Sequence, residues 1–269
     1  MRVFLEPKPS PLDLRWRMFG IGVRVHPTFW LFSLMMGYGF IQKGVIFVFL
    51  WVAASFLSIL VHELGHVIAG RIFGQHGNIV LYSFGGLAVG SWHDARRWQR
   101  IIIMLAGPAA GFALYGLVTA LDVFWFREAF YNARFDPRFA WSIRFLKYMN
   151  LFWSIMNLIP VFPMDGGQVL REVTDAVSPR RGERWAFGLS FVIGGLVAIY
   201  SVFVEIRNKP ETPEGAWLYW PSFDEGYVLS QPLSVSPLFT AILFGVMALQ
   251  CLLMLREAER RDRQYLKED

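Results

Sequence analysis

The chain has 269 residues, of which 55% are hydrophobic and only 17% charged, with a mean hydropathy of +0.39. A water-soluble domain carries about 25% charged residues, and 25 Phe with 11 Trp exceed what one aqueous core of this size hides. A cytosolic enzyme and a disordered chain are excluded. Cys251 is the only cysteine, which rules out an intrachain disulfide, a Cys-rich zinc site and a Cys-x-x-Cys redox pair. Net charge is +5, from 26 Lys and Arg against 21 Asp and Glu. The basic residues cluster beside apolar runs, which fits lipid headgroups and membrane topology rather than a nucleic-acid partner.

Six apolar stretches read as membrane spans: 27–42, 45–73, 101–123, 145–160, 185–204 and 238–255. Several approach the roughly 20 residues that a membrane helix needs. The expected fold is an all-α polytopic membrane protein of about six transmembrane helices, with short β-strand or re-entrant elements near the site. With the N-terminus inside, and Arg71 and Lys147 near span ends counted with the adjoining segments, 18 of the 26 basic residues fall on the inner side and 8 on the outer. That bias predicts both termini in the cytoplasm. Arg127, Arg134, Arg138, Arg144 and Lys147 run against it.

The organisation expected is a cytoplasmic segment over 1–26, a membrane core over 27–204 and an extracytoplasmic loop over 205–237. Residues 238–269 supply the sixth span and a charged cytoplasmic tail. The first eleven residues lack an apolar run with a cleavage site, so no removable signal peptide is expected. Residues 20–26 alternate in the manner of a short strand. Residues 78–89 are apolar and β-prone, broken by Gly85-Gly86, and too short to cross. They suit a hairpin or re-entrant loop shielded from lipid, where bare backbone is not tolerated.

The chemistry concentrates at His62-Glu63-Leu64-Gly65-His66, directly after the seventeen uncharged residues 45–61. On a helix, residues four apart lie about 40° from one line, so both imidazoles face one metal ion. Glu63 stands beside them, placed to polarise a metal-bound water without being a ligand. Central charges in a membrane helix cost roughly 2.5–3.5 kcal/mol each on insertion scales, and a coordinated metal explains three ionisable groups in five residues. The helix rise puts His62 about 26 Å from the outer end of a core about 30 Å thick, nearer the cytoplasmic face.

Catalytic zinc takes three protein ligands and keeps one position open. His26, His76 and His93 are isolated and suit interfacial or hydrogen-bonding roles. Asp165 follows Pro160 and Pro163, which unwind the end of the fourth stretch, and opens the next helix. Its carboxylate reads equally as a third ligand or as a helix cap, and Glu172 is a rival carboxylate.

His62-Glu63-Leu64-Gly65-His66 on one span, with 157–167 (NLIPVFPMDGG) ending another, closely resembles the site-2 protease family of intramembrane zinc metalloproteases. Gly20 to Pro27 (GIGVRVHP), Phe84-Gly85-Gly86 and Ala106-Gly107-Pro108 match as well, so the resemblance covers roughly 20–171. It implies one zinc ion per chain held by His62, His66 and Asp165, with Glu63 as catalytic acid/base and Asn157 as a polar catalytic-site residue. It also implies a multi-pass protein of a prokaryotic cell membrane that cleaves membrane-spanning substrates, here in a compact form without a PDZ or CBS domain. Substrate is expected to bind as an added strand at Ile79, Val80, Leu81, Tyr82, Phe84, Gly85 and Gly86. Two other functions compete: a membrane zinc carrier or sensor without hydrolysis, and a membrane-embedded metalloprotease acting on soluble substrates.

Overall fold

The structure, a computed structural model, describes residues 7–83, 85–90, 94–126, 136–207 and 237–268. Its contacts group the chain into two compact units, one ending at Met156 and one beginning at Asn157.

The first unit opens with strands β1 (Leu14–Met18) and β2 (Ile21–Val25), paired antiparallel. Phe19 and Gly20 turn the chain between them with positive φ of 51° and 72°, the primed geometry that matches strand twist. Asp13 anchors the start of the hairpin. Burial pushes its carboxyl up, but bonds from the Ser10 amide (3.0 Å), Arg15 (3.1 Å) and Arg24 (3.3 Å) outweigh that and hold it below the usual carboxylate range.

His26 then caps helix α1 (Pro27–Gly37) by accepting the Thr28 amide at 3.3 Å. A 3-10 turn at Tyr38–Lys43 leads into α2 (Val45–Ile72). The chain returns through β3 (Gly77–Tyr82) and β4 (Gly85–Gly90) to α3 (Arg97–Leu121). A π-helical turn at Asp122–Phe126 follows α3, and α4 (Pro137–Leu158) crosses the boundary between the units.

The four strands form one sheet in the order β1-β2-β3-β4, with β2 and β3 parallel and β3 and β4 antiparallel. A parallel pair needs a long crossover, and here α1 and α2 supply it. Arg71, in the last turn of α2, donates to the Phe19 carbonyl at 2.7 Å and ties that helix end to the β1–β2 turn. Both edges of β3 are therefore occupied. That corrects the expectation that Ile79, Val80, Leu81 and Tyr82 accept a substrate as an added strand; among the described residues the edges are β1 and β4, which begins at Gly85 and Gly86. Phe84 lies outside the described residues.

The second unit holds α5 (Asp165–Val177), α6 (Gly182–Arg207) and α7 (Pro237–Glu268). The charged tail is the continuation of α7. Most of the expected outer loop, residues 208–236, lies outside the described residues.

Four helices among the described residues are long and apolar enough to cross a bilayer: Val45–Ile72, Arg97–Trp125, Gly182–Arg207 and Pro237–Arg261. Exposed Phe49, Leu57, Ile102, Leu117, Leu196, Ile199, Ile242 and Leu249 on these helices suit a lipid solvent. The expected first stretch is the eleven-residue α1 followed by the 3-10 turn, a broken element that is not among these four helices. The expected fourth stretch, 145–160, overlaps the longer α4, which starts earlier and ends at Leu158 and whose charges are locally compensated. Lys147 pairs with Asp122 at 2.8 Å, and Lys43 and Arg144 sit over the Trp141 ring.

Candidate metal centre

α2 carries both imidazoles on the face it buries in the first unit. His62, Glu63 and His66 are 2%, 4% and 6% exposed. Ser58, one turn earlier on that face, accepts from Asn150 of α4 at 2.9 Å, so the helix is gripped through polar groups just before the motif. The Nε2 atoms of His62 and His66 lie 3.2 Å apart. Two nitrogens bound to one tetrahedral zinc at about 2.0–2.1 Å each stand about 3.3 Å apart. The donor atoms of His62, Glu63 and His66 all fall within 4.8 Å of one another.

His66 is oriented from its far side. Its Nδ1 lies 2.7 Å from the Ile103 carbonyl of α3, which can only accept, so Nδ1 carries the proton and Nε2 presents its lone pair. A Cβ at Gly107, one turn beyond Ile103, would collide with Nε2 of His66 and crowd Nε2 of His62. The space in front of the two lone pairs is thus kept by the absence of a side chain. A Cβ at Gly86 of β4 would likewise collide with the Glu63 carboxylate. Nitrogen spacing, a fixed tautomer and a cradle that one methyl would fill all fit a bound zinc ion.

Tyr82 borders the same carboxylate. Burial first, then the Glu63 charge, pushes its phenol up to about 12, so it remains neutral at physiological pH.

The second unit carries the other expected site residues. Asn157 is half-buried in the last turn of α4. Asp165 is buried and is the first residue of α5; the N-cap is Met164, which makes no side-chain capping bond. Asp165 is therefore not the cap that the sequence allowed. A carboxylate in this first turn is favoured by the helix dipole. Glu172 is half-buried two turns further along α5. Of the isolated histidines, His26 is the α1 cap, His76 is exposed and His93 lies outside the described residues.

The groups that sequence reasoning passed over are the supporting ones. The Ile103 carbonyl has no sequence signature. Gly107 does, as the middle of a small-residue run in an apolar helix, but that run reads first as helix packing.

A buried H-E-x-x-H group that could hold a metal ion thus lies on a helix long and apolar enough to cross a bilayer. The family model described as Peptidase family M50 matches residues 50–141 and 136–200. That is more than half of the chain, and the chain belongs to this family. Among curated relatives, a zinc metalloprotease of Methanocaldococcus jannaschii is 29% identical over 161 residues, covering 59% of this chain and 44% of that protein. Stage IV sporulation protein FB of Bacillus subtilis is 25% identical over 162 residues, covering 58% of this chain and 49% of that protein. The matched region spans less than half of either relative. The solved site-2 protease from Methanocaldococcus jannaschii aligns with a TM-score of 0.53 and 21% identity, over 88% of this chain and 94% of that one. The two share a fold.

Proposed function

We propose that the chain is a zinc endopeptidase that hydrolyses peptide bonds within or beside transmembrane segments of other proteins, in regulated intramembrane proteolysis. The observation that carries this reading is the pair of buried Nε2 atoms 3.2 Å apart beside Glu63, on a helix long enough to span a bilayer. The similarity to a zinc metalloprotease of Methanocaldococcus jannaschii supports zinc and proteolysis. A carrier would need ligand clusters in series, and the described residues hold one.

His62 and His66 supply two ligands and Asp165 the third, one zinc per chain. Bound zinc supplies Lewis acidity, which makes water nucleophilic near neutral pH and polarises a carbonyl. Glu63 takes the proton of the attacking water and hands it to the leaving amine. Asn157 donates its amide N–H to the carbonyl oxygen as negative charge develops there. The Ile103 carbonyl keeps His66 in its ligating tautomer, and Gly86 keeps the Glu63 carboxylate uncovered. Both termini lie in the cytoplasm of a prokaryotic cell, and water reaches the site from that side past Asn157 and Gln168.

A substrate helix must unwind before its carbonyls are accessible. The edge strand β4 pairs with the unwound segment and replaces its lost hydrogen bonds. Gly85 and Gly86 let that segment pass close to Glu63, and Tyr82 borders its path.

Co-expression with single-span membrane proteins tests the substrate class, since the wild type should yield a shortened product while a soluble unfolded protein is left intact. Cleavage of the soluble protein alone would favour a protease with soluble substrates. For the ligand set, Asp165→Ala should lose both zinc and product, whereas Glu172→Ala should keep both. The reverse pattern would move the third ligand to Glu172.

A further inference from the structure

In the second unit, the segment that leads into Asp165 is held from two helices that carry no ligand. Ser190 of α6 is fully buried. Its hydroxyl accepts the Phe162 amide at 3.2 Å and donates to the Pro160 carbonyl at 3.4 Å. Cys251 of α7, equally buried, donates its S–H to the Phe162 carbonyl at 3.3 Å. The Phe162 ring packs edge-on against Phe187 of α6 at 5.5 Å, and Val161 is completely buried.

The irregular stretch around Pro160 and Pro163 has no regular ladder to satisfy its backbone, so these two side chains supply the missing partners. The stretch in turn fixes α5. A Cβ at Gly167 would strike the Val161 and Phe162 backbone, and one at Gly166 the Leu158 carbonyl. α5 begins flush against the loop at Gly166 and Gly167, directly after Asp165. At its other side, Glu183 of α6 pairs with Arg171 of α5 at 3.4 Å and with Arg261 of α7 at 3.0 Å.

We infer that Ser190, assisted by Cys251, is a positioning residue for Asp165: α6 and α7 set the metal affinity of the site by clamping the Pro160–Phe162 backbone. This rests on the reading of Asp165 as a zinc ligand. A group that orients a ligand without touching the metal changes affinity by about 10–100-fold when removed. The donor strengths rank the pair. The serine hydroxyl bonds the backbone at both Phe162 and Pro160, whereas the thiol, a weaker donor, bonds it only at Phe162 and otherwise meets Ser190 itself, so Ser190 should dominate.

The test uses the full chain in detergent, with Ser190→Ala, Ser190→Cys, Cys251→Ala, Cys251→Ser and Asp165→Ala. Zinc affinity is measured by chelator competition. The visible spectrum of the cobalt-loaded protein reports ligand geometry, and thermal unfolding is followed with and without zinc. Ser190→Ala should weaken zinc about tenfold or more, alter the cobalt bands, and shrink the zinc-induced rise in Tm more than it lowers the Tm of the zinc-free protein. Ser190→Cys should recover part of each effect. Cys251→Ser should match the wild type, and Cys251→Ala should fall between it and Ser190→Ala.

Wild-type affinity and cobalt spectrum in Ser190→Ala, with metal lost in Asp165→Ala, would overturn the clamp and leave the ligand set standing. Unchanged affinity and spectrum in Asp165→Ala would overturn both. If Ser190→Ala does not fold, Ser190→Cys and Cys251→Ala decide: wild-type zinc affinity in both overturns the clamp, and weakened affinity in both upholds it.

Discussion

Glu63→Gln should leave a protein that binds one zinc ion and cleaves nothing measurable from a single-span membrane substrate. Glutamine has the same length and nearly the same volume, so the buried slot between Gly86 and the two imidazoles stays filled. What disappears is the group that accepts a proton from water and delivers it to the amine. General acid–base catalysis contributes about 10²–10⁴-fold, and kcat should fall by that factor with KM little changed. The measurement is product formation beside zinc stoichiometry on the same purified sample. Three outcomes are informative. Lost cleavage with retained zinc supports the enzyme. Lost zinc makes Glu63 a ligand and removes it from proton transfer. Full cleavage would eliminate the peptidase mechanism, and a carrier would then account better for the buried cluster.

The sequence was most legible where lipid imposes the strictest rule. α2 starts at Val45 and ends at Ile72, within one residue of the stretch read from apolar run length alone. Its H-E-x-x-H spacing fixes which face carries the imidazoles. The β3–β4 hairpin was legible from its β-prone run, but its partners were not. β1 alternates polar and apolar residues beside Pro7, Pro9 and Pro11 and shows no strong apolar run. The parallel pairing of β2 with β3 joins segments more than fifty residues apart, and no local pattern records such a contact. That pairing is what moved the sheet edge from β3 to β4.

The fourth apolar stretch was read too short for a related reason. Arg144 looks like a boundary to a hydropathy argument, yet within α4 it sits over the Trp141 ring. Asp165 shows the remaining limit. An aspartate at the start of a helix reads equally well as a cap, and only backbone geometry, with Met164 in the capping position, removes that reading.

The second large effect belongs to a residue with no chemistry of its own. Gly107→Ala should abolish zinc binding, although alanine is the better helix former by about 0.5–1 kcal/mol. In α3 the added methyl would fall on Nε2 of His66 and within 2.9 Å of Nε2 of His62, the two lone pairs that must converge on the ion. The rings cannot simply retreat, because His66 is held through Nδ1 by the Ile103 carbonyl of the same helix. Gly116, nine residues further along α3, is the internal control. Nothing lies within 4 Å of a Cβ there, so Gly116→Ala should keep zinc and unfold at the same temperature or slightly higher. Propensity predicts the same sign at both positions, and only the collision at Gly107 predicts opposite ones. Gly86→Ala separates the two halves of the site, because the atoms nearest its methyl belong to the Glu63 side chain. It should bind zinc and fail to cleave. A Gly107→Ala protein with full zinc occupancy and wild-type cleavage would mean that the helices part easily by more than a methyl radius. The 3.2 Å approach of the two rings would then owe nothing to the packing of α3 against α2.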